Sequence, residues 1–183
     1  VYNLAGQHGK RVQSMMGAKN HVVVMPDANK EQTLNALVGA AFGAAGQRCM
    51  ALSVAVMVGE TKHWVNDLVE KTKTLKVNAG HEPNTDVGPV ISQKAKARVL
   101  DLINSGVEQG AELLLDGRDV QVKNYEQGNF VGPTVFNGVK TDMRIYKEEV
   151  FGPVLAIMHV DTLEEAIELI NANPFGNGVG LFT

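Results

Sequence analysis

Two short motifs contain the residues best suited to chemistry. The first is Gly46–Cys49 (Gly-Gln-Arg-Cys), which ends in the only cysteine of the 183-residue chain. Its glycine and polar residues are typical of a turn, so we expect the thiol of Cys49 to be accessible. A nucleophilic cysteine reacts as the thiolate, and the cation of Arg48 beside it favours that form. The motif therefore predicts a catalytic nucleophile, against the general tendency of free cysteines to be small buried hydrophobic residues.

The second motif is Glu148–Pro153 (Glu-Glu-Val-Phe-Gly-Pro), far downstream of the cysteine. A carboxylate offers two oxygens that can accept hydrogen bonds from a diol, and a phenylalanine ring can pack against a planar heterocycle. Both groups occur here within a few residues of each other. The alternative is an acidic pair at the surface, before a Gly-Pro turn, with no role in binding.

These two motifs, together with Gly17–Lys19 (Gly-Ala-Lys) upstream of the cysteine, resemble the aldehyde dehydrogenase superfamily. The resemblance implies that Cys49 attacks an aldehyde and that NAD takes the hydride. It also assigns two residues to the cofactor site. Glu149 would accept hydrogen bonds from the hydroxyls of the nicotinamide-side ribose, and Phe151 would pack beside the nicotinamide. We expect a homo-oligomeric parent protein and no metal, since the acidic residues form no metal-ligand pattern.

One position departs from most members of that family. Members that release a free acid read Glu-Leu-Gly-Gly-Lys, and the glutamate activates the hydrolytic water. Here the stretch is Met15–Lys19 (Met-Met-Gly-Ala-Lys), with Met15 in place of the glutamate. A thioether cannot accept a proton from water at neutral pH, so hydrolysis of a thioacyl enzyme should be slow. With the residues around Cys49, this stretch resembles the acylating methylmalonate-semialdehyde dehydrogenase subfamily, in which coenzyme A resolves the thioacyl enzyme and the substrate is decarboxylated.

Arg48 has a second candidate role. Malonate and methylmalonate semialdehydes carry a carboxylate at the end away from the aldehyde, and a guanidinium can bind a carboxylate through paired hydrogen bonds. We therefore expect Arg48 to bind the substrate. The alternative is an arginine that only tunes the thiol or binds a neighbouring carboxylate of the protein.

Three other functions remain open. A histidine could activate the thiol in a cysteine hydrolase, but none of the five histidines lies in a recognisable motif: His8, His21, His63, His81 and His159. A hydrolytic aldehyde dehydrogenase would keep the fold and release a free acid, which Met15 argues against. The third is a folding or oligomerisation module without activity of its own.

The elements that must position these residues follow from hydrophobic periodicity. Short apolar runs, some of them rich in β-branched residues, predict strands, and longer segments with a helical apolar period predict helices between them. The predicted strands are His21–Met25, Ser53–Val58, Lys76–Val77, Glu112–Leu115, Pro133–Phe136, Val154–Val160 and a last buried strand, Val179–Phe182. The predicted helices are Lys30–Ala45, Thr61–Leu75, Ser92–Gln109 and Thr162–Asn171. This alternation predicts a three-layer α/β/α domain with a mostly parallel sheet, as in the catalytic domain that the resemblance implies.

Composition narrows the class of protein. With 44% hydrophobic and 20% charged residues, the chain is typical of soluble globular proteins. The net charge of −3 and the lack of long basic or apolar runs argue against nucleic-acid and membrane partners. A single cysteine fits a reducing compartment, cytoplasmic in a bacterium or the mitochondrial matrix in a eukaryote. We expect residues 1–20 to connect from a cofactor-binding domain, and residues 21–183 to form a catalytic domain truncated at its C-terminal end.

Overall fold

Strands and helices alternate along most of the protein, which a computed structural model describes over residues 1–183. The strands are β1 (Asn20–Val24), β2 (Leu52–Val58), β3 (Glu112–Leu115), β4 (Thr134–Asn137), β5 (Val154–Val160) and β6 (Val179–Phe182). The helices are α1 (Tyr2–Gln7), α2 (Lys30–Phe42), α3 (Val65–Lys73), α4 (Gln93–Glu108), α5 (Arg144–Lys147) and α6 (Leu163–Asn171). Two 3₁₀ segments, Gly43–Gly46 and Gly59–Trp64, follow α2 and precede α3.

The strands form one sheet of six in the order β3-β4-β5-β2-β1-β6. Every neighbouring pair is parallel except β3 and β4, which pair antiparallel. β2 lies near the centre, with Val56 paired to Val23 of β1 and to Met158 of β5. Residues of β1, β2 and β5 are buried along most of their length, as expected for β-branched strands covered on both faces.

Helices cover both faces of the sheet. α2 joins β1 to β2 and α6 joins β5 to β6, and these two connections run in opposite directions across the sheet. Because parallel crossovers are right-handed, the two helices lie on opposite faces. α2 contacts β2 and β5, whereas α6 contacts β1, β2 and β5. The prediction of a three-layer α/β/α domain with a mostly parallel sheet is confirmed.

Both motifs lie at the same end of the strands of this sheet. Gly46–Cys49 precedes β2, Glu148–Pro153 precedes β5, Met15–Lys19 precedes β1, and residues 172–178 precede β6. These four strands are neighbours and run parallel, so their amino-terminal ends lie side by side. The sheet thereby brings together loops that are far apart along the chain.

Three predicted elements differ from the structure by more than a residue. The helix predicted over Thr61–Leu75 is α-helical only in α3, which follows the 3₁₀ segment and ends at Lys73. The helix predicted to reach Ala45 stops at Phe42, because Ala44 and Ala45 adopt left-handed backbone angles that no α-helix contains. The predicted strand Lys76–Val77 is reduced to a single bridge between Val77 and Val87. Helices α1 and α5 were not predicted, since one has no buried residue and the other is only four residues long.

The last strand is less buried than its sequence suggested. β6 pairs only with β1 and forms an edge of the sheet, and its residues Val179 and Leu181 are more than half exposed. Its position is as predicted, but its interior character is not, because an apolar run does not reveal whether a strand is central or at an edge. None of the helices is long and apolar enough to cross a membrane.

Candidate active site

The turn that contains Cys49 (residues 46–51, called the cysteine turn below) follows a left-handed stretch of backbone. α2 ends at Phe42, and Ala44, Ala45 and Gly46 then have φ angles of 53°, 52° and 67°. A non-glycine residue in this region costs roughly 1–2 kcal/mol, so the surrounding contacts must hold the stretch in place. The turn that follows leaves Cys49 exposed to solvent.

The glycines of the two motifs bring their loops into backbone contact. A Cβ atom added to Gly46 would lie 2.0 Å from the carbonyl oxygen of Gly152. A Cβ atom added to Gly152 would lie 2.6 Å from a methyl group of Val99. Gly46 therefore allows the cysteine turn to lie directly against the Glu148–Pro153 loop, and Gly152 allows that loop to pack closely on Val99 of α4.

A cleft of about 320 Å³ opens where the two loops meet. Its walls are formed by residues from the loops before β1, β2, β5 and β6, namely Met15, Gly17, Ala18, Cys49, Glu149, Phe151, Gly176 and Asn177. Three residues singled out in the sequence, Cys49, Glu149 and Phe151, therefore line the same cleft. Met15 lies on its wall as well.

The two glutamates of the second motif have different surroundings. Glu148 accepts hydrogen bonds from Arg144 Nε at 2.6 Å and from Arg98 Nη1 at 3.2 Å. These arginines, Arg144 first, lower the pKa of Glu148 below its usual value. Glu149 is anchored only through its backbone, whose carbonyl accepts from Arg98 Nη2 at 2.9 Å. Its half-buried carboxylate forms no hydrogen bond or ion pair within the chain and can accept bonds from a ligand in the cleft.

Phe151 combines an unusual backbone with an exposed ring. Its φ angle is 55°, in the left-handed region that bulky residues avoid, and the residue is 43% exposed. Core packing explains neither feature. A strained aromatic residue on the wall of a cleft is the arrangement expected for a ring that contacts a ligand.

Lys19 ties the loop before β1 to the loop before β5. Only 4% of the residue is exposed, and its Nζ donates to the carbonyl oxygens of Ile145, at 2.9 Å, and of Glu148. Burial lowers the pKa of Lys19 to about 8, while the charges of Glu149 and Glu148 act in the opposite direction. The sequence motif Gly17–Lys19 therefore contains a buried cation that holds the second motif in place.

Arg48 points towards α2 in this structure. Its Nη2 donates to the carbonyl oxygens of Gly39, at 3.1 Å, and Ala40, at 3.2 Å, near the C-terminal end of the helix. A cation there also complements the helix dipole. To bind a substrate carboxylate, Arg48 must exchange these bonds for bonds to the substrate, and Gly43 beside its guanidinium has no side chain to obstruct it.

No histidine lies in the cleft or bonds to Cys49. His21 is buried, with Nδ1 2.7 Å from the Lys19 carbonyl oxygen and Nε2 3.1 Å from the Tyr146 hydroxyl. Three others contact residues away from the cleft: His63 with Glu60, His81 with Tyr125, and His159 with Asn137. The geometry therefore gives no support to a Cys–His hydrolase.

Two asparagines at the cysteine turn were not singled out in the sequence. Asn20 donates to the carbonyl oxygen of Cys49 at 2.8 Å, and Asn177 donates to the same oxygen at 2.6 Å. Asn20 opens β1, whereas Asn177 lies in the loop before β6. Their local sequence contains no signal for this role, because each bond joins residues far apart along the chain.

The chain is similar to known proteins along its whole length. The chain matches the aldehyde dehydrogenase family over residues 1–183. It is 62% identical over 183 residues to the human mitochondrial enzyme named methylmalonate-semialdehyde/malonate-semialdehyde dehydrogenase (acylating), a match that covers 100% of this chain and 34% of that protein. The chain thus spans about a third of the length of the curated relatives it matches.

Solved structures show the same fold. A Sinorhizobium meliloti protein, assigned as a methylmalonate-semialdehyde dehydrogenase and complexed with NAD, superposes with a TM-score of 0.95 at 46% identity. The methylmalonate-semialdehyde dehydrogenase of Oceanimonas doudoroffii gives 0.95 at 45% identity. Each match covers 100% of this chain and 38% of the other. Sequence and fold together show that the chain belongs to the aldehyde dehydrogenase family.

Proposed function

We propose that this chain is the catalytic part of an acylating, NAD-dependent aldehyde dehydrogenase. Its substrates would be malonate and methylmalonate semialdehydes, and its products acetyl-CoA and propionyl-CoA, with one carboxyl group lost as CO₂. The observation that carries the proposal is the single cleft lined by Cys49, Glu149, Phe151 and Met15. It combines a nucleophile, a free carboxylate and an exposed ring with a methionine where the hydrolytic members have a glutamate.

Cys49 acts as the nucleophile in this proposal. Its thiolate attacks the aldehyde carbon and forms a hemithioacetal, and loss of hydride to NAD leaves a thioester on the cysteine. The backbone N–H of Cys49 has no hydrogen-bond partner within the chain, so it is free to donate to the oxyanion of the adduct. The thiol of coenzyme A then attacks the thioester carbon, and the Cys49 thiolate leaves.

Glu149 and Phe151 would hold NAD. The Glu149 carboxylate has no partner within the chain and lines the cleft, which suits an acceptor for the two hydroxyls of a ribose. The exposed ring of Phe151 offers an apolar surface to the nicotinamide. NAD is bound in the similar structure from S. meliloti, which supports the assignment.

Met15 favours coenzyme A over water as the acyl acceptor. Its thioether lines the cleft with Cys49 and cannot act as a general base for water. Coenzyme A supplies its own nucleophile and does not need a base at this position. The human relative is named acylating, which agrees with this choice.

Arg48 is proposed to bind the substrate carboxylate. It adjoins Cys49 in sequence, and its bonds to the carbonyls of Gly39 and Ala40 are longer than 3 Å and exposed. A carboxylate would offer paired, charge-assisted bonds in their place.

The wider organisation is also a proposal. Residues 21–183 would form the catalytic domain, and residues 1–20 would connect it to a cofactor-binding domain of a longer, homo-oligomeric enzyme. The chain's relatives are about three times its length, which supports this division. The enzyme would work in the mitochondrial matrix of a eukaryote, where the human relative is named mitochondrial, or in the cytoplasm of a bacterium.

The test is product release by the full-length enzyme with and without coenzyme A. Without it, we expect an NADH burst of about one per active site, followed by a slow steady state as the thioester accumulates. Adding coenzyme A should restore turnover and give acyl-CoA, and Cys49→Ala should abolish the burst. Rapid release of free acid without coenzyme A would instead identify a hydrolytic aldehyde dehydrogenase.

A further inference from the structure

We propose that Asn20 and Asn177 are positioning residues for the nucleophile. Their side-chain amides converge on one atom, the carbonyl oxygen of Cys49, at 2.8 Å and 2.6 Å. The inference rests on the proposed function, in which Cys49 attacks the aldehyde. Neither asparagine touches the reacting atoms in this arrangement, and both act through the backbone of the cysteine.

Asn20 is the buried half of this pair, which we call the asparagine clamp. Its Nδ2 donates to Ala51 O at 2.8 Å as well as to Cys49 O, and its Oδ1 accepts from the backbone N–H of Gly178 at 3.0 Å. Both amide hydrogens and the amide oxygen are therefore used. A buried amide satisfied in this way is rigid, because any rotation would leave polar groups unpaired.

Asn177 is the exposed half of the clamp. It lines the cleft, and its only side-chain hydrogen bond is the one from Nδ2 to Cys49 O. Gly178 next to it packs closely on the cysteine turn, since a Cβ atom there would lie 2.7 Å from Met50 Cε. The loop before β6 thus packs against the cysteine turn on the side that faces the cleft.

The clamp has a mechanical purpose in this fold. The chain enters the turn through the left-handed stretch of Ala44, Ala45 and Gly46, which surrounding contacts must hold against relaxation. Two hydrogen bonds to one carbonyl fix the Cys49 peptide on its C-terminal side. They thereby fix the direction of the Cα–Cβ bond that carries the thiol, and small errors in the position of a nucleophile cost much rate.

Asn177 is the better residue to test, because an exposed side chain can be changed with little effect on folding. In the full-length enzyme we would compare Asn177→Ala and Asn177→Asp with Asn171→Ala. Asn171 is also an exposed asparagine, at the end of α6, and lies beside residues of α6, β1 and β6 rather than at the cleft. The readouts are the single-turnover rate of the NADH burst, the rate of Cys49 alkylation by iodoacetamide, and KM for NAD.

We expect Asn177→Ala to slow the burst about threefold to tenfold, the effect of one lost hydrogen bond, with KM for NAD nearly unchanged. Asn177→Asp should be slower still, although it is nearly the same size, because a carboxylate oxygen would face the Cys49 carbonyl oxygen. A role in packing alone would not produce that order. Asn171→Ala should behave as wild type.

Two results would overturn the inference in distinguishable ways. If both Asn177 variants match Asn171→Ala in burst rate and alkylation while wild type shows a burst that depends on Cys49, the clamp has no role and the proposed function stands. If the wild-type burst survives Cys49→Ala, the proposed function fails and the clamp proposal fails with it.

Discussion

The two adjacent glutamates differ in what their carboxylates contact, and this difference can be tested. Glu149→Gln removes the charge that would face the ribose of NAD. KM for NAD should therefore rise, by a factor that corresponds to a loss of about 1–2 kcal/mol of binding free energy. Glu148→Gln is the matched control. It weakens the bonds from Arg98 and Arg144 and should lower the stability of the loop more than it changes NAD binding. Steady-state kinetics with varied NAD would measure both, and unchanged NAD kinetics in Glu149→Gln would remove that residue from the cofactor site.

Met15 and Met16 offer a similar comparison of neighbours. Both are exposed, but only Met15 lines the cleft with Cys49. Met15→Glu would place a carboxylate near the thioester and should raise the rate of acid release without coenzyme A. A positioned general base is worth about 10²–10⁴-fold, and we expect the lower part of that range because no neighbour is built to hold the new group. Met16→Glu should leave the rate unchanged, and an equal gain in both variants would show a general electrostatic effect instead.

The sequence predicted some of these residues better than others. Cys49, Glu149 and Phe151 lie within recognisable motifs, and the structure brings them to one cleft. Lys19 was part of a motif, but nothing in the sequence indicated that its side chain binds the carbonyls of Ile145 and Glu148. Asn177 could not be found at all, because its role depends on a contact across 128 positions of the chain. Roles carried by local chemistry are visible in a sequence, whereas roles carried by tertiary contacts are not.

At the scale of elements, the strands were the most predictable part. The bounds of β3, β5 and β6 agree with the predicted ones, and those of β1, β2 and β4 differ by a residue. The end of α2 was not predictable, since two alanines are good helix formers and nothing in their local sequence indicates left-handed backbone angles. The prediction that β6 is buried was wrong, because hydrophobic periodicity indicates a strand but does not indicate which elements cover it.

The contact between Gly46 and Gly152 gives a prediction about how these loops are joined. Gly46→Ala would place a methyl group against the Gly152 carbonyl at a position with φ of 67°. We expect a loss of about 3 kcal/mol in the free energy of unfolding. Gly39→Ala in α2 is the control, because its added Cβ meets nothing within 4 Å. That change should stabilise the chain by roughly 0.5–1 kcal/mol. Urea denaturation measures both, and similar effects of the two changes would refute the close approach.

At the scale of the whole molecule, the site lies at the amino-terminal ends of the strands, which is an uncommon place for ligand binding in such a sheet. Open α/β sheets generally bind ligands beyond the carboxyl ends of their strands. Here the cleft lies at the amino ends of β5, β2, β1 and β6. Two adjacent residues, the last one before β1 and the first one of β1, connect the four loops. Lys19 binds the loop before β5, whereas Asn20 binds those before β2 and β6. The site is therefore formed by four loops that the sheet brings together, and not by any single loop.

Because Lys19 is buried at that junction, the stability of the whole chain should depend on pH in an unusual direction. Burial lowers the pKa of Lys19 to about 8 in the folded chain, from the usual 10.5 of an exposed lysine. Below pH 8 both states are protonated, and burial of the charge costs on the order of 3 kcal/mol. Between pH 8 and 10.5 the folded state loses the proton first, so the unfolded state binds more protons and stability rises with pH.

Lys19→Met isolates this effect, because the difference in free energy of unfolding between wild type and variant removes the contribution of the other groups. The loss of two hydrogen bonds to the carbonyls of Ile145 and Glu148 adds a constant that does not vary with pH. Relative to the variant, wild type should gain up to about 1.4 kcal/mol per pH unit above pH 8. Urea denaturation from pH 7 to 10 would measure the gain. A difference that stays flat from pH 7 to 10 would show that burial does not lower the pKa of Lys19.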